Sequence, residues 1–129
     1  MKLIVTDASV WVSRLVPEDT FHERIKTWMS TQRSENIEFL APSLLLAEIG
    51  GAISRRTGKS ALGLRAIEQI KSISGLRLIE MEHSLAELGL RGADSLYVAV
   101  AVRLSLPLVT LDIDQKARAG TRVAIQEIL

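Results

Sequence analysis

The chain opens with the stretch KLIVTDAS at residues 2–9. Residues 2–6 are mostly apolar and β-branched, which is typical of a short strand buried in a sheet. Asp7 follows this strand directly, and residues 8–15 then have helical spacing until Pro17. A buried strand that ends in a carboxylate and leads straight into a helix is the pattern expected at the start of a parallel α/β sheet.

The same alternation continues along the chain. Further strands are predicted at residues 37–41, 76–81, 106–111 and 122–126, and helices at residues 21–32, 44–57, 60–74, 84–88, 93–104 and 113–119. Ser43 is the expected N-cap of the third helix, and Gly58 stands just past its end. Because the strands are continuously apolar, helices should cover both faces of a doubly wound sheet. The sequence therefore predicts one α/β domain over residues 1–129.

Composition limits the classes of protein to consider. The chain has 129 residues, a net charge of +1 and no cysteine, which excludes disulfides, thiol nucleophiles and cysteine-based zinc sites. The opening residues lack the features of a secretion signal, and no apolar run is long enough for a membrane span. We therefore expect a cytoplasmic protein that does not contact a membrane. Eleven of the sixteen basic residues are Arg, the type that binds phosphate groups in bidentate fashion.

The acidic residues fall at informative positions. Asp7 directly follows the first strand, and Asp112 directly follows the fourth. In an open parallel sheet, ligands bind beyond the carboxyl ends of the strands, where the strand order reverses. Asp94 begins the almost wholly apolar helix at residues 93–104, and Glu48 lies one turn inside the helix after the second strand.

A structural explanation is open for each of these residues. Asp7, Asp94 and Asp112 each precede a predicted helix, where Asp is a favoured N-cap. Glu48 lies inside its helix and cannot be an N-cap, so its structural explanation is a position at the rim of an apolar helix face. Several carboxylates at one end of a sheet would nevertheless repel one another and would have to take up protons or bind a cation. Mg²⁺ and Mn²⁺ are the cations that such oxygen ligands suit.

Four segments, in order, resemble the motifs of the PIN domain. They are residues 7–9 (DAS), 43–48 (SLLLAE), 91–99 (RGADSLYVA) and 109–112 (VTLD). The resemblance covers almost the whole chain, and the length is similar to that of stand-alone VapC-type toxins, the ribonuclease partners in VapBC toxin–antitoxin pairs. It implies a five-stranded sheet in the order 3-2-1-4-5, with the first and fourth strands adjacent.

The resemblance also implies a set of site residues. Asp7, Glu48, Asp94 and Asp112 would hold one or two Mg²⁺ or Mn²⁺ ions, and would be the catalytic residues. Ser9 and Thr110 would support them by hydrogen bonds. Asp114 either assists a second metal ion, or is a surface residue, or has a capping role.

The expected reaction is endonucleolytic hydrolysis of RNA, with a metal ion that lowers the pKa of a bound water. The basic residues near the junction of the third and fourth helices would either steer the phosphate backbone or form a solvated face; they are Arg55, Arg56, Lys59 and Arg65. The resemblance further implies a VapB-type antitoxin as partner, and a homodimer formed through the first helices around Trp11 and Phe21. Trp11 and Trp28 are expected in the core or a dimer interface, and His22 and His83 on the surface.

Other functions remain open at this point. A PIN-type protein outside toxin–antitoxin pairs could process RNA, or bind RNA or protein without cleavage. An aspartyl phosphotransferase would use Asp7 as nucleophile, but a second Asp two residues on is usual there, and this chain has Ser9. A response-regulator receiver would need an Asp at the end of the third strand, where Met81 and Glu82 stand. Neither a GxGxxG fingerprint nor a P-loop is present to indicate a nucleotide-binding module.

Overall fold

The computed structural model describes residues 2–80, 94–120 and 122–128, with the backbone alone at residues 94, 95 and 118. Strands and helices alternate over these residues. The strands are β1 (Lys2–Thr6), β2 (Ile37–Pro42), β3 (Leu76–Ile79) and β4 (Leu108–Val109). The helices are α1 (Ala8–Leu15), α2 (His22–Ser34), α3 (Leu44–Thr57), α4 (Ser60–Lys71), α5 (Asp94–Leu104) and α6 (Ile113–Ala119). The helix predicted at residues 84–88 lies outside the described residues.

The described strands form one parallel sheet in the order β3-β2-β1-β4. This order confirms the first four positions of the predicted sheet. The chain runs outward from β1 through β2 to β3 and then returns to the other side of β1, where Thr6 pairs with Val109 of β4. The strand order therefore reverses between β1 and β4, and the carboxyl ends of these two strands mark the expected position of a ligand site.

The predicted fifth strand at residues 122–126 is reduced to a single parallel bridge between Leu108 and Ile125. Leu108 N donates to Ala124 O at 2.9 Å, and Gln126 N donates to Leu108 O at 3.0 Å. The segment thus lies beside β4 as predicted, but β4 has only two residues and offers too few backbone groups for a longer ladder. The described residues accordingly form a sheet of four strands, and the expectation of five was wrong in this respect.

The core covers both faces of the sheet. Phe39, Leu40 and Ala41 are consecutive in β2 and all are buried. Because successive side chains of a strand point to opposite faces, consecutive burial requires helices on both sides. Helix α5 packs against β1, β2 and β4, while α2 and α3 pack against β2.

Both tryptophans belong to this core. Trp11 of α1 and Trp28 of α2 lie on the ring of Phe39, with centroid distances of 5.7 and 5.4 Å. The Trp11 indole N–H donates to the hydroxyl of Thr6 at 2.8 Å, so its one polar atom is satisfied inside the subunit. Trp11 is fully buried within the subunit, which excludes it from the expected dimer interface.

The two ends of α3 differ in how well the sequence predicted them. Gly58 has a φ of 72° and ends the helix in the left-handed conformation that favours glycine, as expected. Ser43 already has helical backbone angles and its side chain makes no capping hydrogen bond. Ser43 thus occupies the predicted N-cap position, but its hydroxyl does not cap the helix, because a capping side chain requires an extended backbone at that residue.

Helices α3 and α4 approach each other closely at two glycines. A Cβ atom placed on Gly63 of α4 would stand 2.5 Å from the carbonyl oxygen of Gly50 in α3, and would also collide with the hydroxyl of Ser54. The first of these obstacles is backbone and cannot rotate away. The close packing of α4 against α3, the helix that carries Glu48, therefore requires a residue without a side chain at position 63.

Substitution of Gly63 by Ala should lower the free energy of unfolding by about 1–3 kcal/mol, the usual cost of overpacking a close contact. The matched control is Gly51→Ala on the same hairpin, where the new Cβ would meet only the mobile end of Arg55 at 3.1 Å. Better helix propensity should leave that variant as stable as the wild type or slightly more stable. Urea denaturation of both variants measures the difference, and equal stabilities would contradict the close approach.

Candidate active site

Asp7 lies at the carboxyl end of β1 and is only 3% exposed. The hydroxyl of Ser9 donates to its Oδ1 at 2.5 Å, and the hydroxyl of Thr110 donates to its Oδ2. The backbone N–H of Val10 also points at Oδ1, at 3.4 Å, so that Asp7 is the N-cap of α1. The carboxylate of Asp7 thus caps α1 and also lies where the strand order reverses. The sequence left these two roles as alternatives.

Ser9 and Thr110 connect this carboxylate to the chain beyond β4. The hydroxyl of Ser9 accepts a hydrogen bond from Leu111 N at 2.9 Å, and that of Thr110 accepts one from Asp112 N at 3.0 Å. A hydroxyl has a single proton to donate, and a backbone amide can only donate. Both hydroxyl protons are therefore directed at Asp7, and the network has one consistent orientation.

Asp112 follows β4 and is the N-cap of α6. Its Oδ1 accepts hydrogen bonds from Asp114 N at 2.9 Å and Gln115 N at 3.2 Å. Its Oδ2 receives no hydrogen bond from the described residues, so that this half-buried carboxylate can accept a further ligand. Asp114 lies in the first turn of α6 and is exposed, as one of its sequence interpretations predicted, while the cap of this helix is Asp112.

Glu48 lies in α3, where it is half-buried. Its Oε1 accepts a hydrogen bond from the hydroxyl of Tyr97 in α5, with 2.5 Å between the oxygens. Glu48 and Ser9 line the same groove, together with Leu111. The groove thus brings Glu48 of α3 together with the residues that flank Asp7 and Asp112 in the chain.

This groove has a volume of about 630 Å³ and extends from the acidic end toward basic residues. Along α3 it is lined by Glu48, Ala52, Arg55 and Arg56, whose spacings of four, three and one place them on one side of the helix. The groove is also lined by Phe21 of the segment between α1 and α2. The groove therefore combines a carboxylate and two guanidinium groups on a single helix.

Arg55 forms no ion pair with any described residue. Its Nη1 lies 3.1 Å from the point where a Cβ of Gly51 would stand, so the side chain extends back along α3 over Gly51. Long side chains of a helix commonly point toward its N-terminus in this way. Glycine at position 51 thus lets the guanidinium lie one turn closer to Glu48.

Arg56 is held differently. Its Nη2 donates to Oδ2 of Asp19 at 3.2 Å, while Oδ1 accepts from the hydroxyl of Ser13 at 2.7 Å and from Phe21 N at 2.9 Å. Burial raises the pKa of Asp19, but the hydrogen bonds from Phe21, Ser13 and Arg56 outweigh burial and hold the pKa below its ordinary value of 3.8. The contribution of ionised Asp19 to stability is therefore present above pH 3.8 and is lost as the pH falls through the lower pKa of the folded state.

The segment around Asp19 also buries a histidine. His22 is 7% exposed, and its Nδ1 lies 3.0 Å from the carbonyl oxygen of Ser13. The expectation that His22 is a surface residue was wrong, because its ring fills the space between α1 and the start of α2. His83 lies outside the described residues.

The remaining predicted residues either do not line this groove or lie outside the part of the chain that the structure describes. Lys59 and Arg65 are exposed at the junction of α3 and α4 and do not line the groove. Asp94 is the first residue of α5, and its side chain lies outside the described part of the structure. Within that part, no three Asp, Glu or His side chains come together as a metal-binding group. The donors that are described are carboxylate and hydroxyl oxygens, which are the ligands that Mg²⁺ and Mn²⁺ prefer.

Two residues of the site were not selected from the sequence. Asp19 is one of only five Asp residues and stands in a Pro-containing turn, which indicated a loop but not its ion pair with Arg56. Tyr97 is the only tyrosine of the chain and lies within the motif at residues 91–99, on an apolar helix where a hydroxyl needs a partner. That requirement is the signal that could have identified it.

Comparison with known proteins agrees with this fold. The PIN domain family matches the chain over residues 4–120. The chain therefore belongs to the PIN domain family. No curated protein matches the chain.

Several solved structures have a similar fold. VapC20 of Mycobacterium tuberculosis, described as a sarcin–ricin loop cleaving toxin, is similar with a TM-score of 0.74 and 18% identity, over 96% of this chain and 99% of that chain. FitAcB of Neisseria gonorrhoeae is similar with a TM-score of 0.66 and 20% identity, over 96% of each chain. VapBC2 of Rickettsia felis, bound to a DNA fragment from its promoter, has a TM-score of 0.67 and 16% identity, over 96% of this chain and 97% of that chain.

No helix among the described residues could span a membrane.

Proposed function

We propose that this protein is a metal-dependent endoribonuclease that hydrolyses phosphodiester bonds of RNA. The observation that carries the proposal is the groove, which has Glu48 and the surroundings of Asp7 and Asp112 at one end and Arg55 at the other. Carboxylates suit a hard cation, and guanidinium groups suit the phosphates of a polyanion. Membership of the PIN domain family supports the same chemistry.

Asp7, Glu48, Asp94 and Asp112 are the residues that would hold Mg²⁺ or Mn²⁺. A bound divalent ion would supply an activated water and would stabilise negative charge on the phosphate. Asp7 keeps a fixed orientation because Ser9 and Thr110 each donate a hydrogen bond to one of its oxygens. Asp112 directs one oxygen to its own helix and leaves the other for a ligand.

Charge removal at single carboxylates tests this assignment. Asp7→Asn, Glu48→Gln and Asp112→Asn each preserve shape while removing a charge that would bind the cation. We expect each to lower the rate of RNA cleavage in Mg²⁺ or Mn²⁺ by at least about 10- to 100-fold, the usual effect of disturbing a metal site. Cleavage of a fluorescent RNA at saturating metal, with folding checked by circular dichroism, provides the measurement.

The matched control is Glu68→Gln. Glu68 lies on α4, where its carboxylate pairs with Lys71 at 3.8 Å, and it does not line the groove. Its neutralisation should leave the cleavage rate unchanged. Wild-type rates in all three folded site variants would contradict the proposal.

Arg55 is the residue best placed to bind the RNA backbone. It is seven residues after Glu48 on α3, which corresponds to about 10 Å along the helix axis. Its side chain spans part of this distance because it lies over Gly51. Arg55 would therefore contact a phosphate beside the one that is cleaved, while Arg56 stays paired with Asp19 and shapes the groove wall.

Substitution of Arg55 by Ala should weaken RNA binding and reduce its dependence on salt. Loss of one phosphate contact with single-stranded RNA lowers the slope of log K against log salt by about 0.7. Binding of an uncleavable RNA, titrated at several KCl concentrations, measures the slope. Arg33→Ala is the control, since Arg33 is an exposed arginine near the end of α2 and does not line the groove. Equal slopes for the two variants would exclude a phosphate contact at Arg55.

We further propose that the ribonuclease is the toxin of a toxin–antitoxin pair, acts in the cytoplasm, forms a homodimer and is neutralised by a VapB-type antitoxin. The similar structures include a toxin and complexes of the VapBC type. A PIN-type enzyme that processes RNA outside such pairs is the second candidate, and the fold is common to both.

Expression in a bacterial host separates these two candidates. The wild-type chain should arrest growth, Asp7→Asn should not, and co-expression of the small protein encoded beside it should restore growth and co-purify with the chain. Unaffected growth during expression of a protein that cleaves RNA in vitro would favour the second candidate. Size-exclusion chromatography with light scattering measures whether the chain is a dimer.

A further inference from the structure

A buried phenol contacts one of the proposed metal ligands. Tyr97 of α5 is fully buried, and its hydroxyl donates to Oε1 of Glu48 at 2.5 Å. The two residues lie 49 positions apart, on different helices. Tyrosine is a costly residue at a fully buried position unless its hydroxyl has a partner, and here that partner is a carboxylate.

The hydrogen bond restricts a side chain that would otherwise be mobile. Glu has three side-chain torsions, and its immobilisation costs rotamer entropy. A hydrogen bond to a charged acceptor is stronger than one between neutral groups and can offset part of that cost before any ligand binds. A carboxylate can accept at both of its oxygens, so the bond to Oε1 does not prevent Glu48 from binding a cation.

The position of Tyr97 gives the bond a second effect. Asp94, another proposed ligand, is the first residue of α5 and stands one helical turn before Tyr97. Glu48 belongs to α3, so the hydrogen bond links α3 to α5. The bond therefore sets Glu48 relative to the helix on which Asp94 begins.

We propose that Tyr97 is a positioning residue for Glu48, which it orients for a divalent cation before the cation binds. This inference rests on the proposed function, because it assigns a role to the ligand set named there. Tyr97 touches neither the RNA nor the cation and acts only through the carboxylate.

The substitution Tyr97→Phe removes the hydroxyl and keeps the ring in the core. We expect Mn²⁺, measured by isothermal titration calorimetry, to bind the variant about 10-fold more weakly, as is usual when a partner of a metal ligand is removed. RNA cleavage should fall at limiting Mn²⁺ and recover at high Mn²⁺. In the Glu48→Gln background, Tyr97→Phe should have no further effect on Mn²⁺ affinity, whereas a general loss of packing would add to it.

A spectroscopic measurement on the wild-type protein serves if the variant does not fold. Tyr97 is the only tyrosine, so ¹³C-labelled tyrosine gives one Cζ resonance that reports the hydroxyl bonded to Glu48. Addition of Mg²⁺ should shift this resonance, and the shift should be absent in Glu48→Gln. A resonance that Mg²⁺ leaves unchanged would overturn the proposal.

The outcomes distinguish this inference from the proposed function. If the wild-type protein binds no Mn²⁺, the metal site and the role of Tyr97 fail together. If the wild type binds Mn²⁺, Glu48→Gln weakens the binding and Tyr97→Phe binds as tightly as the wild type, only the role of Tyr97 is overturned.

Discussion

The carboxylate of Asp7 connects the ends of β1 and β4 through hydrogen bonds. The geometry of the sheet at the place where its strand order reverses depends on this carboxylate. Ser9 and Thr110 each give their only hydroxyl proton to this group while accepting from the backbone beyond β4. A buried carboxylate is tolerated only when hydrogen bonds or opposite charge replace the water it has lost. The backbone that leads to Asp112 is therefore held in place by the same bonds that satisfy Asp7.

The groove contains both acidic and basic groups because of the periodicity of one helix. Helix α3 presents Glu48 near its start and Arg55 two turns later on the same side, so one rigid element carries both signs of charge. The phosphate backbone of a polyanion would bind at the arginine end. It would approach the carboxylate end only if a bound cation reversed the local charge. The ion pair between Arg56 and Asp19 belongs to the wall of this groove, where it holds the segment between α1 and α2 against α3.

The sequence predicted those features that depend on local spacing. Apolar runs and helical periodicity predicted the described strands and helices within a few residues, and Asp7 was predicted at a strand end because it directly follows an apolar run. Contacts between distant residues were not accessible in this way: Tyr97 and Glu48 are 49 positions apart, and Asp19 and Arg56 are 37 positions apart. The extent of β4 also escaped prediction, because apolar residues around it pack in the core without pairing along a strand.

The bond between Thr110 and Asp7 spans 103 positions of the chain. Closing so long a loop costs more entropy than closing the short loop of a local contact. Strand β4, which pairs with β1, contributes only two residues to offset that cost. During synthesis the carboxylate at the end of β1 must wait for almost the whole remaining domain before its second hydroxyl donor arrives. This end of the sheet is thus among the last parts of the fold to become complete, and a nascent chain carries its acidic residues long before their surroundings have formed.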